Sequence, residues 1–194
     1  SCAERLYERK SHRRILQHFA QRVQAALVDA GLPAVSFPPS ASAITEDGEI
    51  SDLAGEPIAR ALDSGLLPVV AGDVAFDRRR GATIVSTERV FAHLARTLGP
   101  THLLLAGVEP GVFADFPANT RLFDTLRPGD VRPATVAGAA ATDVTGGMAD
   151  KVALAIAMAQ AQPGLVVRIF SGAQPGAIRS ALLGENGGTE ILAE

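Results

Sequence analysis

An α/β fold with a mainly parallel sheet covered by helices is predicted from three observations. Strand and helix signals alternate along the chain. The strand candidates read as solid apolar runs rather than alternating ones, as strands buried on both faces do. The composition, 47% hydrophobic and 20% charged over 194 residues, is that of an ordinary globular chain and suits one domain. Aromatics make up only 5% and Trp is absent, so Ala, Val, Leu and Ile must fill the core.

The elements follow in order. Ala3 to Ala30 is predicted as a helix, because Leu6, Ile15, Phe19, Val23, Ala26 and Leu27 recur mostly every three or four residues. Gly31 and Pro33 stop it. Ala34 to Phe37 is a short strand ended by Pro38 and Pro39, and Ser40 to Asp52 is polar loop with one short strand. Pro57 favours the first turn of a helix that runs to about Asp63 and closes at Gly65. Leu66 to Ala71 reads as a strand buried on both faces. Val74 to Phe76 and Thr83 to Val85 flank Asp77-Arg78-Arg79-Arg80-Gly81, a hairpin turn.

Thr87 to Leu98 places Val90, Phe91, Leu94 and Leu98 on one helical face. His102 to Ala106 is a second strand of the buried type. Gly107 to Thr142 is long and irregular, with one short strand near Val112. Met148 to Ala161 is a helix, Leu165 to Phe170 a strand, Ala177 to Leu183 a helix and Thr189 to Leu192 a last strand.

Charge and cysteine usage exclude several functions. A net charge of -3 argues against a general nucleic-acid binder. The single cysteine, Cys2, rules out an internal disulfide framework and a Cys-based zinc site, and points to a reducing, cytoplasmic setting. Val152 to Val167 is the least charged long stretch, but Gln160, Gln162, Pro163 and Gly164 interrupt it, so no membrane span is expected. His12, His18, His93 and His102 show no metal-ligand spacing, and neither a Walker A nor a G-x-S-x-G pattern occurs.

Parallel α/β sheets bind ligands at the carboxyl ends of their strands. Gly72-Asp73, Gly107 and Ser171-Gly172 fall at such ends, and Asp143-Val144-Thr145-Gly146-Gly147-Met148 opens a helix. Each alone is also compatible with a tight turn. Gly146 and Gly147 let a ligand approach the backbone, and the N–H groups of the helix start form an anion site. Lys151 follows in the first turns, where a cation opposes the helix dipole. The chain holds 16 Arg and only two Lys, Lys10 and Lys151, so arginine is its default surface cation. A compact ammonium suits a migrating phosphoryl group, while pairing with Asp150 is the structural alternative. Glu88, after Ser86-Thr87, is either an ordinary first-turn acid or a carboxylate that holds a catalytic lysine. Asp73 is a turn acid or a ligand contact, and Arg78-Arg79-Arg80 a solvated tip or a phosphate grip.

Four segments together resemble the amino acid kinase superfamily: Gly72-Asp73-Val74-Ala75-Phe76-Asp77; Gly81-Ala82-Thr83-Ile84-Val85-Ser86-Thr87-Glu88; Thr142-Asp143-Val144-Thr145-Gly146-Gly147-Met148-Ala149-Asp150-Lys151; and Phe170-Ser171-Gly172 with Pro175-Gly176 and Gly187-Gly188-Thr189. Within it they look most like isopentenyl phosphate kinases, and fosfomycin-resistance kinases share much of the pattern.

The resemblance implies a three-layer αβα sandwich with a mainly parallel central sheet, in a homodimer. It implies transfer of the ATP γ-phosphoryl group, with Mg²⁺, to a phosphate monoester, isopentenyl phosphate. Lys151 would contact the nucleotide phosphates and steady the transferred group, and Glu88 would orient phosphate-binding lysines. Asp143, Thr145, Gly146, Gly147 and Met148 would approach the nucleotide, with Gly107 and Gly172 beside it. Gly72, Asp73 and Ser86 would lie near the substrate phosphate, and Phe76 would line the prenyl pocket. No metal-ligating residue is assigned.

The family pattern also opens with a strand, a K-x-G-G-S loop and a G-G-G-S-F-G-H segment, none of which occurs in residues 1–194. Gly107-Val108 stands where the family has a Ser/Thr-Asp pair, and Glu109-Pro110 adds a residue. The expectation is a single domain, 1–194, that lacks its N-terminal strand and glycine-rich loops. The alternatives are another small-molecule kinase of the superfamily, of the fosfomycin or nucleotide type, or a nucleotide- or anion-binding protein without turnover.

Overall fold

The computed structural model describes residues 10–115, 118–130, 147–185 and 187–194. Internal contacts divide the chain into two compact units, 1–98 and 99–194. Asp143, Thr145 and Gly146 lie outside the described residues, as does the start of the first expected helix.

In the first unit, helix α1 (Lys10–Asp29) leads to β1 (Ala34–Ser36). A 3-10 turn (Pro39–Ala41), β2 (Ile44–Glu46) and β3 (Glu49–Asp52) follow. Where loop and one short strand are expected there is therefore a hairpin. Its turn, Asp47-Gly48, has both φ angles positive, at 56° and 93°, as a two-residue turn matched to strand twist requires. Helix α2 (Gly55–Asp63), β4 (Leu67–Val69), β5 (Asp73–Asp77), β6 (Gly81–Val85) and α3 (Thr87–Leu98) complete the unit. One sheet has the order β3-β2-β5-β6, and β1 pairs with β4 in a separate two-stranded sheet. Ala43, Leu53, Ile58, Ala75, Val85, Val90 and Leu94 form the core, with Leu98 packed against it; of the expected α3 stripe, Phe91 is half-buried and outside this cluster.

In the second unit, β7 (His102–Gly107) is followed by β8 (Thr125–Leu126) and a 3-10 turn (Pro128–Asp130). Then come α4 (Gly147–Ala161), β9 (Val166–Ser171), α5 (Ala177–Leu182) and β10 (Thr189–Ile191). The sheet order is β7-β9-β10-β8. The face of α4 that carries Val152, Ala155 and Ala159 is fully buried, and the helix packs on β9 and β10. The strand expected near Val112 is a single antiparallel bridge, Phe113 to Leu122.

The α/β class holds, and the pairing is mixed. Among the described residues β1–β4, β2–β5, β7–β9 and β8–β10 are parallel, while β2–β3, β5–β6 and β9–β10 are antiparallel. Two strands expected to be buried on both faces are not. Leu67 of β4 is 38% exposed, and no residue of β7 is fully buried: His102 and Ala106 are exposed and the other four half-buried. The reason is position: among the described residues β4 pairs only with β1, and β7 lies at the margin of its sheet, where packed elements cover a strand least.

Candidate active site

In the first unit the expected substrate residues gather where β4 leads into β5 and β6 into α3. Gly72 is buried, and its N–H donates to Thr87 Oγ1 at 2.8 Å. A Cβ at Gly72 would lie 2.9 Å from the Val85 carbonyl oxygen and 3.0 Å from the Thr87 nitrogen. Only glycine lets the two segments approach this closely. Ser86 is the helix cap: its Oγ accepts the Arg89 N–H at 3.3 Å. Glu88 sits half-buried in the first turn of α3, where a negative charge suits the helix dipole.

Asp73 turns inward. It is 2% exposed, with Oδ1 accepting the Val74 N–H at 2.8 Å and Oδ2 the Ser40 N–H at 3.2 Å. Its carboxylate thus ties the β5 start to the 3-10 turn and shapes this edge from behind. Phe76 stands 54% exposed on β5, between neighbours that are buried.

A second buried acid, Asp77, carries no functional signal in the sequence and holds two turns together. Its carboxylate accepts N–H groups of Gly48 (2.7 Å), Arg80 (2.7 Å), Arg79 (2.9 Å) and Asp47 (3.3 Å), and the Thr45 hydroxyl (2.9 Å). Desolvation by burial pushes its carboxyl up, but the bonds from Arg80, Gly48, Arg79 and Thr45 outweigh it and hold the group well below the usual carboxylate range. The arginine run is the solvated tip of this hairpin. Arg79 pairs with Glu46 at 3.1 Å and Arg80 with Asp47 at 2.7 Å, all four exposed.

In the second unit, β7 and β9 run parallel and end together, with Gly107 opposite Ser171. The Gly172 N–H donates to the Gly107 carbonyl at 2.9 Å. A Cβ at Gly172 would press on Ala106 Cβ at 3.1 Å and Ile178 Cδ1 at 3.3 Å, whereas Gly107 has open space around it. The direction of α4 follows from its far end. Gln162, just past the helix, donates Nε2 to the Pro100 carbonyl at 2.7 Å, ahead of β7. The helix therefore ends at the amino edge of the strands.

With 15 residues at ~1.5 Å each, α4 rises about 22 Å, and the six residues of β9 span about 20 Å. Packed along β9, the helix must begin at the carboxyl edge, with Gly147 and Met148 on the side of Gly107 and Gly172. Lys151 is half-buried at the N-terminal end of the packed stripe. The Cα–Cβ bonds of a helix tilt toward its N-terminus, so the Lys151 side chain starts out in the direction of the carboxyl edge. Among the described residues no acid pairs with it. A helix N-terminus with a directed cation beside glycine-lined strand ends can receive a polyphosphate.

The amino acid kinase family profile matches residues 6–171. The isopentenyl phosphate kinase of Methanothermobacter thermautotrophicus is 33% identical, over 88% of this chain and 66% of the relative. The enzyme of the same name from Haloferax volcanii is 33% identical, over 93% of this chain and 70% of the relative. An X-ray structure of an isopentenyl phosphate kinase superposes with a TM-score of 0.74 at 30% identity, over 90% of this chain and 66% of that one. The chain spans about two thirds of the length of the relatives it matches.

Proposed function

The chain belongs to the amino acid kinase family, and from that premise we propose that it transfers the γ-phosphoryl group of ATP to isopentenyl phosphate, giving isopentenyl diphosphate and ADP. The observation that carries this reading is the placement of Lys151, at the start of α4, on the edge where Gly107 and Gly172 end their strands. Similarity to relatives named isopentenyl phosphate kinase supports the choice of acceptor.

An oxygen of the acceptor phosphate forms the new P–O bond as the bond from the γ-phosphorus to the β,γ-bridging oxygen breaks, and ADP departs. No covalent enzyme intermediate is needed, so catalysis consists of positioning and charge stabilisation. The Lys151 ammonium stabilises the negative charge that builds on the migrating group. The main-chain N–H groups at the start of α4 add to this, and Gly107 and Gly172 leave room for the nucleotide. On the first unit, Ser86 and the α3 N-terminus would face the acceptor phosphate, Glu88 would orient cationic groups beside it, and Phe76 offers an exposed ring to a prenyl chain.

Mg²⁺ bound to ATP would neutralise part of the triphosphate charge. Among the described residues no cluster of three His, Cys, Asp or Glu is placed to hold a metal. Among the described residues no helix is long and apolar enough to cross a membrane. The resemblance further supports a homodimer.

The test is to incubate the full-length protein with ATP, Mg²⁺ and isopentenyl phosphate and follow ADP. ADP formation that depends on isopentenyl phosphate is expected. Turnover with fosfomycin or UMP but none with isopentenyl phosphate would move the protein to another kinase of the family. Binding of ATP with no turnover on any acceptor would leave a binding module.

A further inference from the structure

We propose that Thr189 is a positioning residue for the nucleotide, acting through the paired stems Val112–Ala114 and Arg121–Phe123. This rests on the nucleotide lying at the carboxyl edge of β7 and β9, as in the function proposed above. Thr189 opens β10, which runs antiparallel to β9 and pairs it with Ile169, two residues before β9 ends. Its side chain is therefore at that edge, and it is fully buried.

The single hydroxyl is used in both directions. It accepts the Val112 N–H at 2.8 Å and donates to the Phe123 carbonyl at 2.6 Å. Those two residues are the base of a finger. The Phe123 N–H bonds the Val112 carbonyl at 2.9 Å, and the Ala114 N–H bonds the Arg121 carbonyl at 2.8 Å. One oxygen thus fastens both strands of the finger where the chain has just left Gly107.

The packing around the hydroxyl leaves no slack. A Cβ at Gly111 would lie 2.7 Å from Thr189 Oγ1, and one at Gly188, whose φ is +85°, would lie 2.2 Å from the Ile169 carbonyl oxygen. Glycine on both sides allows the finger base to be drawn against β10. Such a clamp fixes where the finger base stands relative to Gly107, and so shapes the strand edge proposed to receive the nucleotide.

The experiment measures ATP affinity by calorimetry, and separately the KM for isopentenyl phosphate, in the full-length wild type, Thr189→Val, Thr189→Ser and Gly111→Ala. Thr189→Val keeps the shape and loses the hydroxyl. It should weaken ATP binding about tenfold while the acceptor KM stays within about twofold, and Thr189→Ser should restore ATP binding. Gly111→Ala should act like Thr189→Val. Unchanged ATP affinity in Thr189→Val, or equal losses for ATP and acceptor, or no rescue by Ser, overturns the assignment.

If Thr189→Val does not fold, a variant with residues 114–121 replaced by Asn-Gly, which keeps Val112, Phe123 and Thr189, must show the same selective loss of ATP binding. Normal ATP binding in it overturns the proposal. A wild type that binds ATP but does not phosphorylate isopentenyl phosphate refutes the proposed function and leaves the Thr189 test intact; a wild type that does not bind ATP refutes both.

Discussion

Gly72→Ala should damage stability and acceptor binding together. The added Cβ would meet the Val85 carbonyl oxygen at 2.9 Å, the Thr87 nitrogen at 3.0 Å and the Ser86 carbonyl carbon at 3.3 Å. All three are main-chain atoms, so no side chain can swing aside. Overpacking of this kind costs about 1–3 kcal/mol. Displacing the loop also stretches the Gly72 N–H bond to Thr87 Oγ1, worth about 0.5–1.5 kcal/mol. The sum is roughly 2–4 kcal/mol, or a fall in Tm of about 4–16 °C for a chain of this length.

Thr87→Val separates the two contributions. It removes the hydroxyl with no clash and leaves the buried Gly72 N–H unpaired, for about 1–3 kcal/mol. The assay is thermal unfolding followed by circular dichroism, together with the KM for isopentenyl phosphate. Because Ser86 and Glu88 ride on the segment that must yield, the acceptor KM should rise while ATP affinity holds. A Gly72→Ala protein that melts within about 2 °C of wild type with an unchanged acceptor KM would refute the close-approach reasoning.

Three other changes probe the remaining parts of the site and its support. Lys151→Ala should lower kcat by roughly 10²–10³ and disturb ATP affinity much less, as removal of one preorganised charge-stabilising group does; an unchanged rate in steady-state assays would remove Lys151 from the mechanism. Asp77 has a folded-state pKa below its unfolded value, so its contribution to stability is fully present above the ordinary carboxylate range and is lost as pH falls through the folded value. Wild type should therefore lose Tm in that acid range, and Asp77→Asn should melt lower at neutral pH and show a flatter acid decline. Parallel slopes in a pH series of melts would contradict this. Phe76→Ala, at a 54% exposed position, should leave Tm within about 2 °C yet raise the KM for isopentenyl phosphate several-fold; equal KM values would free Phe76 of any acceptor contact.

The parts of the fold legible in the sequence are those fixed by local signals. The stripe of Val90, Leu94 and Leu98 marks α3 almost to the residue, and Asp77 with Gly81 marks the β5–β6 hairpin. The Asp47-Gly48 turn carries an equally strong hairpin signal, but the short polar strands on either side mask it. The misread elements depend on neighbours. An apolar run such as Leu66–Ala71 states that a strand can be buried, whereas its two faces are covered only where other elements pack above and below the sheet, which happens least at a sheet's margin. The two-residue strand β8 exists because β10 pairs with it, which no pattern in residues 125–126 announces.

The site divides along the same line. Glycine at a strand end, a Ser-Thr-Glu helix start and a lone lysine in an arginine-rich chain are visible one residue at a time, and the structure places Gly107, Gly172 and Lys151 at one edge of their unit. What each group bonds to is set by residues far away in the chain. Asp73 reads as a possible ligand contact, yet its carboxylate is taken by the N–H groups of Val74 and Ser40, the latter 33 residues away. Thr45 and Asp77 find each other across 32 residues, and Thr189 reaches Val112 across 77. An acid or hydroxyl beside glycine is thus as compatible with holding the edge as with binding at it. Burial decides between the two: Asp73, Asp77 and Thr189 face inward with their acceptors filled, while Lys151 and Glu88 remain partly open at helix starts. A phosphate can be reached only by the second kind, and the precision with which it is reached depends on the first.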